Sequence, residues 1–513
     1  MRAIMPIFTL LAISLFSLIT IKGEAQYKNN FWLFGDSAGI NWTNPSNPIL
    51  FKSMLKGRGT SASIADSNGV ILYSGTGQKN NFLDRTKTYN KFNSVVQNSD
   101  SINGEGWYHE MLILPYPEND SLFYILSIGV NGYTGLFYSL INHKANSDSG
   151  LVIQKNVALQ LTPAFDGLTA VQHGNGRDWW VLFKNWDGIG QVGNNITYVY
   201  LVDQNGISLN SAQNIGATNS TNLGQLCINN LSDKLAAVNL RGLISLYNFD
   251  RCTGQLSQPM TIETERPGSP YPYYFSAAFS PDDTKLYVVS ESPINQPGQN
   301  DTLFQFDLTA TNIAGSKQVI AVMSSYEASM ANMKLAPDNK IYITTGDEIA
   351  SIPYPDSLFT TINNNLSVIN YPDSLGAACD FQPFSFNLGT GRTYFGLPNN
   401  PDYEIGAWVG SPCDTLTTNL TPNPYPETRG AWMQAWYNHQ WNMIHVNAAQ
   451  LKGKKGVLRL FDMEGRVVFE KPAEVIAGGY YTTEINMENL ASGVYVVNLV
   501  TEQDKISSKV GKF

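Results

Sequence analysis

The chain has 513 residues, 43% of them hydrophobic and only 15% charged, so a packed core is expected and a disordered chain is excluded. Its formal charge of −9, without any basic run, argues against nucleic acid or an anionic membrane surface as partner, and five histidines are too few for a metal-rich protein. Aromatic residues at 12%, with 43 glycines and 25 prolines, favour short strands joined by tight turns over long helices.

In chain order, residues 1–25 read MRAIMPIFTLLAISLFSLITIKGEA: a basic Arg2, an apolar run from Ile4 to Ile21, and a small-x-small ending at Gly23-Glu24-Ala25. That layout predicts a signal peptide cleaved before Gln26, and hence a mature chain outside the cytoplasm; an uncleaved membrane anchor is the alternative. The four cysteines, Cys227, Cys252, Cys379 and Cys413, suit an oxidising compartment. None forms a C-x-x-C pair, which excludes zinc and thioredoxin-like readings. Three pairings are open, and the local one, Cys227–Cys252 with Cys379–Cys413, is expected because it closes the shortest loops.

A repeat organises residues 26–408. The first apolar residue after each Asp/Asn/Gly-rich turn falls at Leu72, Phe123, Trp179, Leu235, Leu286 and Ile341, in steps of 51, 56, 56, 51 and 55 residues. Asp and Asn tolerate left-handed backbone and bond their own main chain, so each turn reverses an inner strand such as YFSAAFS into a second such as KLYVVS. A third strand often follows, as in LISLYNFD (243–250) and LFQFDL (303–308). This rhythm predicts a β-propeller, and 383 positions at about 55 per blade give seven blades. Ring closure should pair NNFWLFGDSAGINW at the start with TYFGLPNN near residue 400, removing the exposed sheet edges.

The ordered set NNFWLFGDSAGINW, ASIADSNGVILYS, LTAVQHGNGRDWWVLF, FSPDDTKLYVV, LAPDNKIYIT and YFGLPNN resembles a family of secreted seven-bladed propellers of Bacteroidota. The resemblance implies fold and cell-surface context, and it carries no catalytic residues. Residues 409–430, rich in Thr, Pro and Asn, read as a linker. Residues 431–513 alternate between apolar and polar positions, are broken by Glu-Gly, Gly-Gly and Ser-Gly turns, and predict a small immunoglobulin-like β-sandwich. LRLFDMEGRVV, NLASGVYVVNLV and KISSKVGKF resemble the C-terminal sorting domain of type IX secretion cargo, with Gly465, Arg466, Gly493, Tyr495 and Lys509 as the motif residues. That resemblance implies recognition by the outer-membrane translocon, and attachment to the outer membrane or release.

Candidate ligand residues sit where inner strands begin. GEGWYHEM offers Trp107, Tyr108, His109 and Glu110, although adjacent residues on a strand face opposite ways. RPGSPYPYYF offers Tyr271, Tyr273 and Tyr274 for stacking on a sugar or peptide, and Arg58 in KGRGTSAS is placed to face the channel. No nucleophile elbow, H-E-x-x-H or phosphate loop is present, so no catalytic residue, metal or cofactor is assigned. DQNG (203–206) and SPDD (280–283) lack the spacing of a twelve-residue calcium loop, and a structural calcium stays open. The leading expectation is a non-enzymatic surface propeller binding a glycan or protein partner. The alternatives are a lactonase-like or polysaccharide-lyase enzyme, which needs His109, Glu110, Arg58 and His173 at one mouth, and a structural part of the envelope or gliding machinery.

Overall fold

The computed structural model describes residues 28–512, apart from residue 67 and segments 78–85, 131–134, 188–192, 267–272, 292–299, 325–327, 348–353, 415–430, 439–441, 450 and 476–480. The expected signal peptide, Tyr271 and the expected linker from 415 onward therefore lie outside the described residues. The chain divides into two compact units, Met1–Asn419 and Leu420–Phe513.

The first unit is a seven-bladed propeller. Blades 2 to 6 are four-stranded antiparallel meanders whose innermost strands are Met111–Pro115, Thr169–Gln172, Gly224–Ile228, Tyr273–Phe279 and Ala328–Leu335. The six repeat anchors all fall on second strands: Leu72 on Gly69–Gly77, Phe123 on Leu122–Gly129, Trp179 on Trp179–Lys184, Leu235 on Lys234–Asn239, Leu286 on Lys285–Glu291 and Ile341 on Ile341–Asp347. The turns before them use the left-handed backbone that their letters predict, with positive φ at Ser232 (55°), Asp283 (59°) and Asn339 (63°).

These turns also join neighbours. Asp283 accepts the backbone N–H groups of Asn230 and Leu231 and the side-chain amides of Asn229 and Asn230, at 2.9–3.0 Å. One carboxylate thus fastens the blade 4 turn to the blade 5 turn. SPDD is occupied by backbone bonding.

The long strand Ile49–Asp66 serves two blades. Its first half pairs with Asp36–Asn41, and its second half, the inner strand of blade 1, pairs with Gly69–Gly77. Phe31–Phe34, Asp36–Asn41 and that first half form the outer part of blade 7. The innermost position of blade 7 comes from the far end of the unit. Arg392 and Asp36 exchange both backbone hydrogen bonds (2.8 and 2.9 Å), Phe395 N–H donates to Arg58 O (3.1 Å), and Asn399 N–H donates to Ser61 O (2.7 Å). The expected ring closure is thereby formed. It demands close backbone approach: a Cβ on Gly59 would meet the carbonyls of Gly106 and Trp107, and one on Gly396 would meet Gly59 itself. Between blades 6 and 7, Trp32, Trp42, Tyr342 and Phe386 form an aromatic core with ring centroids 5.1–6.1 Å apart.

Inner strands all run from one mouth of the channel, here called upper, to the other, lower. After closing the ring, residues 399–413 turn across the lower mouth. Asn399 Nδ2 donates to Met111 O and Leu168 O (3.1 and 2.9 Å), the Tyr403 hydroxyl donates to Ile113 O (2.6 Å), and the Gly406 N–H donates to Gln172 Oε1 (2.9 Å). Cys413 then bridges to Cys252 in the outer turn of blade 4, with Cα atoms 5.3 Å apart. Gly174 lies against both sulfurs, where any side chain would collide. This corrects the expected pairing: Cys227 and Cys379 are free. Loop length fails as a guide because the tail carries Cys413 around the ring to blade 4, while Cys227 sits on an inner strand and Cys379 in the short 3₁₀ turn Gly376–Cys379 of blade 6. Residues 409–414, which composition assigns to the linker, are held with the propeller through this bridge.

The second unit packs a three-stranded sheet (Trp432–Asn438, Met443–Ala449, Tyr481–Asn486) on a four-stranded one (Lys455–Phe461, Val467–Glu474, Gly493–Thr501, Lys505–Lys512). Its own core includes Ile444, Val446, Leu458, Leu460, Ile485, Val497 and Leu499. Gly465 (φ 79°) and Arg466 form the hairpin turn before the second of these four strands, where Asp462 accepts the Arg466 N–H and guanidinium. Tyr495 is buried and its hydroxyl donates to Ala491 O, whereas along the two last strands Gly493 pairs with Lys512 and Lys509 with Val496. Among the described residues of either unit, no helix is long and apolar enough to cross a membrane.

Candidate functional site

The two mouths of the channel differ. At the upper mouth Tyr108, Phe275, Ala331, Tyr354, Tyr394 and Phe395 form a buried cluster, with Trp107 packed against it. The Tyr108 ring lies edge-on to Phe275 at 4.3 Å between centroids, and Tyr354 stacks on Tyr394 at 4.4 Å. Arg58 is partly buried with its guanidinium 5.0 Å from the Phe395 centroid and 5.8 Å from that of Tyr108. The sequence-read residues Arg58, Trp107 and Tyr108 therefore do converge, but as a plug: among the described residues their aromatic faces are spent on one another.

His109 and Glu110 are buried just below, and they face apart as strand alternation requires. The His109 ring crosses to blade 6, where Asn332 Nδ2 donates to its Nε2 and its Nδ1–H donates to Gly224 O. Acceptance at Nε2 needs the neutral ring, and burial pushes its pKa down to about 3. Glu110 turns toward blade 1, accepting the N–H groups of Glu105 and Gly106 (2.9 Å each) and the Thr76 hydroxyl (3.2 Å). Burial, with the Asp166 charge second, raises its pKa to about 8. Asp166 accepts the Tyr108 and His109 N–H groups at 2.9 Å each, and burial raises it to about 7. These groups tie inner strands together.

The remaining sequence candidates lie elsewhere. His173 ends the third inner strand at the lower mouth, where its Nε2 meets Cys252 O at 3.1 Å, so it joins neither His109 nor Glu110. Tyr274 is fully buried between strands of blade 5, its hydroxyl donating to Glu263 and accepting from Lys317, both at 2.7 Å. It offers no ligand face. Tyr273 is partly exposed and pairs with Glu291 across the ladder.

The open site is the lower mouth, which sequence reading did not single out. A cleft of about 610 Å³ is bounded by the lower ends of the inner strands of blades 3 to 6, by the start of blade 7, and by the crossing tail at 399–404. Its wall carries Asn29, Gln225, Lys334, Asn399, Asp402 and Glu404. Lys334 Nζ donates to Asn400 O at 2.8 Å, and burial lowers its pKa to about 8. Burial, reinforced by neighbouring Asp402, raises Glu404 to about 7. Cys227 also lines the cleft, and burial pushes its thiol up to about 12, which makes it inert. The sequence signal for this site lay in YFGLPNNPDYE: a ring-closing strand followed at once by consecutive amides, Asn399-Asn400, and acids, Asp402 and Glu404.

The family described as secretion system C-terminal sorting domain matches residues 440–512. No curated protein sequence matches the chain. Among solved structures, similarity is found to the extracellular domain of a one-component system from Bacteroides thetaiotaomicron (11% identity, TM-score 0.34, 94% of this chain and 55% of that one). It extends to the periplasmic gluconolactonase of Pseudomonas aeruginosa (11% identity, TM-score 0.34, 83% and 99%) and to a quinonprotein alcohol dehydrogenase-like protein of B. thetaiotaomicron (12% identity, TM-score 0.36, 67% and 73%). Similarity this low assigns no activity. The chain is a seven-bladed β-propeller that ends in a type IX secretion sorting domain, the part that directs its export.

Proposed function

We propose that this protein is an exported, non-enzymatic recognition module that binds a saccharide in the lower cleft of its propeller. The observation that carries the reading is the set of amide side chains on the wall of a cavity of about 610 Å³, a volume within the range of small-ligand sites. A primary amide presents donors and an acceptor together, the complement of a sugar hydroxyl. Asn399 spends both Nδ2 hydrogens on Met111 O and Leu168 O and so keeps its Oδ1 for an incoming hydroxyl. Gln225 commits its Oε1 to the Ser276 hydroxyl and the Ala277 N–H, which leaves its Nε2 as a donor.

In this reading residues 1–25 are a cleaved signal peptide, 26–408 form the propeller, 409–430 a linker and 431–513 the sorting domain, and a Bacteroidota cell displays the protein on its outer membrane. The translocon engages the sorting domain; the propeller meets the ligand.

An enzyme acting on polysaccharide or lactone is the second reading, and one feature favours it: Glu404, which titrates near neutrality, shares the cleft with Lys334. One incubation separates the two. Purified protein is mixed with a panel of bacterial and plant polysaccharides, and both retention and released oligosaccharide are measured. Saturable binding without product supports the recognition module. Product release that is lost in Glu404→Gln would replace it with the enzyme, and a lack of binding to every polysaccharide would remove the saccharide reading.

A further inference from the structure

We infer that the lower cleft selects an acidic saccharide, seating the sugar carboxylate on the ammonium of Lys334. The inference rests on the saccharide reading above and narrows it to a class.

Lys334 lies on the inner strand Ala328–Leu335 of blade 6, on the cleft wall. An ammonium carries three donors, and here one of them meets Asn400 O at 2.8 Å. Among the described residues no carboxylate forms an ion pair with it; Asp402 acts on it only from a distance and already accepts Asn29 Nδ2 at 2.7 Å. Two other withdrawn lysines are matched. The Lys317 ammonium pairs with Glu263 at 2.7 Å, and that of Lys285 with Asp307 at 3.4 Å. Lys184 is sealed between blades 3 and 4 with its ammonium on the Thr197 hydroxyl and over the Tyr247 ring. Lys334 alone of these lines a cavity, and its charge waits for a counter-ion.

A cation taken from water is costly unless an anion of good geometry meets it. A carboxylate does so, and its second oxygen finds a donor of the kind that Gln225 Nε2 supplies on the same lining. The acceptors Asn399 Oδ1, Asp402 and Glu404, from the crossing tail, suit the hydroxyls of the same sugar ring. Cation, amide donor and acceptors on one cavity wall match a uronic acid better than a neutral sugar, which would leave the ammonium unmet.

The test uses the full secreted chain and calorimetric titration with two probes of the same linkage, a galacturonic acid dimer and a galactose dimer, plus a tripeptide with a free C-terminus. The acid dimer is expected to bind at least tenfold more tightly than the neutral one. Lys334→Met should erase that preference, bringing the affinity for the acid dimer down at least tenfold to that for the neutral one, and Lys334→Arg should keep it. The melting temperature of Lys334→Met checks the fold, which loss of a buried unpaired charge should leave intact. Equal affinities for the two dimers would overturn the inference and leave the saccharide reading standing. Failure of both dimers would sink the two together, and preference for the tripeptide would give the cleft to peptide carboxylates and overturn it as well.

Discussion

Cys252 and Cys413, separated by 161 residues, are bonded across the lower face of the propeller, and the chain that closes the ring is thereby held on both sides of the closing strand. On one side lie the Asp36–Arg392 backbone bonds, on the other the bridge to blade 4. Any pull arriving from the sorting domain meets the disulfide before it reaches residues 392–399. Cys413→Ser should lower stability by about 2–4 kcal/mol, the usual worth of a bridge closing a long loop. It should also open residues 401–414 to protease while leaving the blades resistant. Mass mapping without reductant should find the Cys252–Cys413 bridge, with Cys227 and Cys379 alkylated only after unfolding. Equal melting of the variant and the parent would remove the clasp from the account.

Ring closure depends on a second pair. The Arg392 guanidinium donates to the Asp36 carboxylate and to Pro355 O and Leu358 O, and both charged side chains are at most 5% exposed. Removing one partner strands a buried charge, so Arg392→Met should cost about 3–5 kcal/mol. Asp36→Asn combined with Arg392→Met should recover part of that loss. If the double variant is as unstable as the two single losses added together, the pair is not coupled and the ring is closed by backbone bonding alone.

The propeller was legible because its information is local and repeats. Leu235, Leu286 and Ile341 follow turns whose left-handed residues, Ser232, Asp283 and Asn339, the sequence displays as Ser, Asp and Asn. The lower cleft was not legible, because nothing periodic encodes it. Lys334 sits on a strand that reads as one more blade repeat, and its setting depends on where Asn400 arrives after the ring closes. The same tail decided the cysteine pairing. The upper-mouth residues were read in the right place and with the wrong exposure: Tyr108 and Arg58 reach the channel, where Phe275 and Phe395 already fill it.

The buried carboxylates set a pH dependence whose sign is fixed. Glu110 is raised from 4.5 to about 8 and Asp166 from 3.8 to about 7, each chiefly by burial. An acid raised in the folded state contributes most below its unfolded pKa, and that contribution is lost as pH climbs through the folded value. His109, lowered from 6.5 to about 3 by burial, contributes above 6.5 and loses its share on acidification. Glu404, raised to about 7 by burial, adds to the acids, while the half-buried His143 and His173 are lowered with His109 and oppose them below pH 6.5. Above pH 7 Lys184 and Lys334, lowered to about 8 by burial, begin to offset the acids, so urea unfolding of the propeller should show stability falling most clearly from pH 6 to pH 7. Glu110→Gln should flatten that slope, at a cost of about 1–3 kcal/mol from the Glu105 N–H, which its amide nitrogen can no longer satisfy. Stability that rises with pH over this range would mean that Glu110 and Asp166 are ionised in the fold.

Export should separate cleanly from folding, because each unit has its own core: Ile444, Leu458 and Val497 pack within the second, while the blades pack on one another. A chain lacking residues 431–513 should fold, form the Cys252–Cys413 bridge and remain in the periplasm, while the full chain leaves the cell or reaches its surface. A milder change tests the sorting unit from inside. Tyr495 is buried with its hydroxyl on Ala491 O, so Tyr495→Ala should unfold that sandwich, at a cost of about 3–5 kcal/mol, without touching the propeller. The expected outcome is a folded propeller retained in the periplasm, as in the truncation. Normal surface display of either variant would show that the export signal lies in the propeller itself.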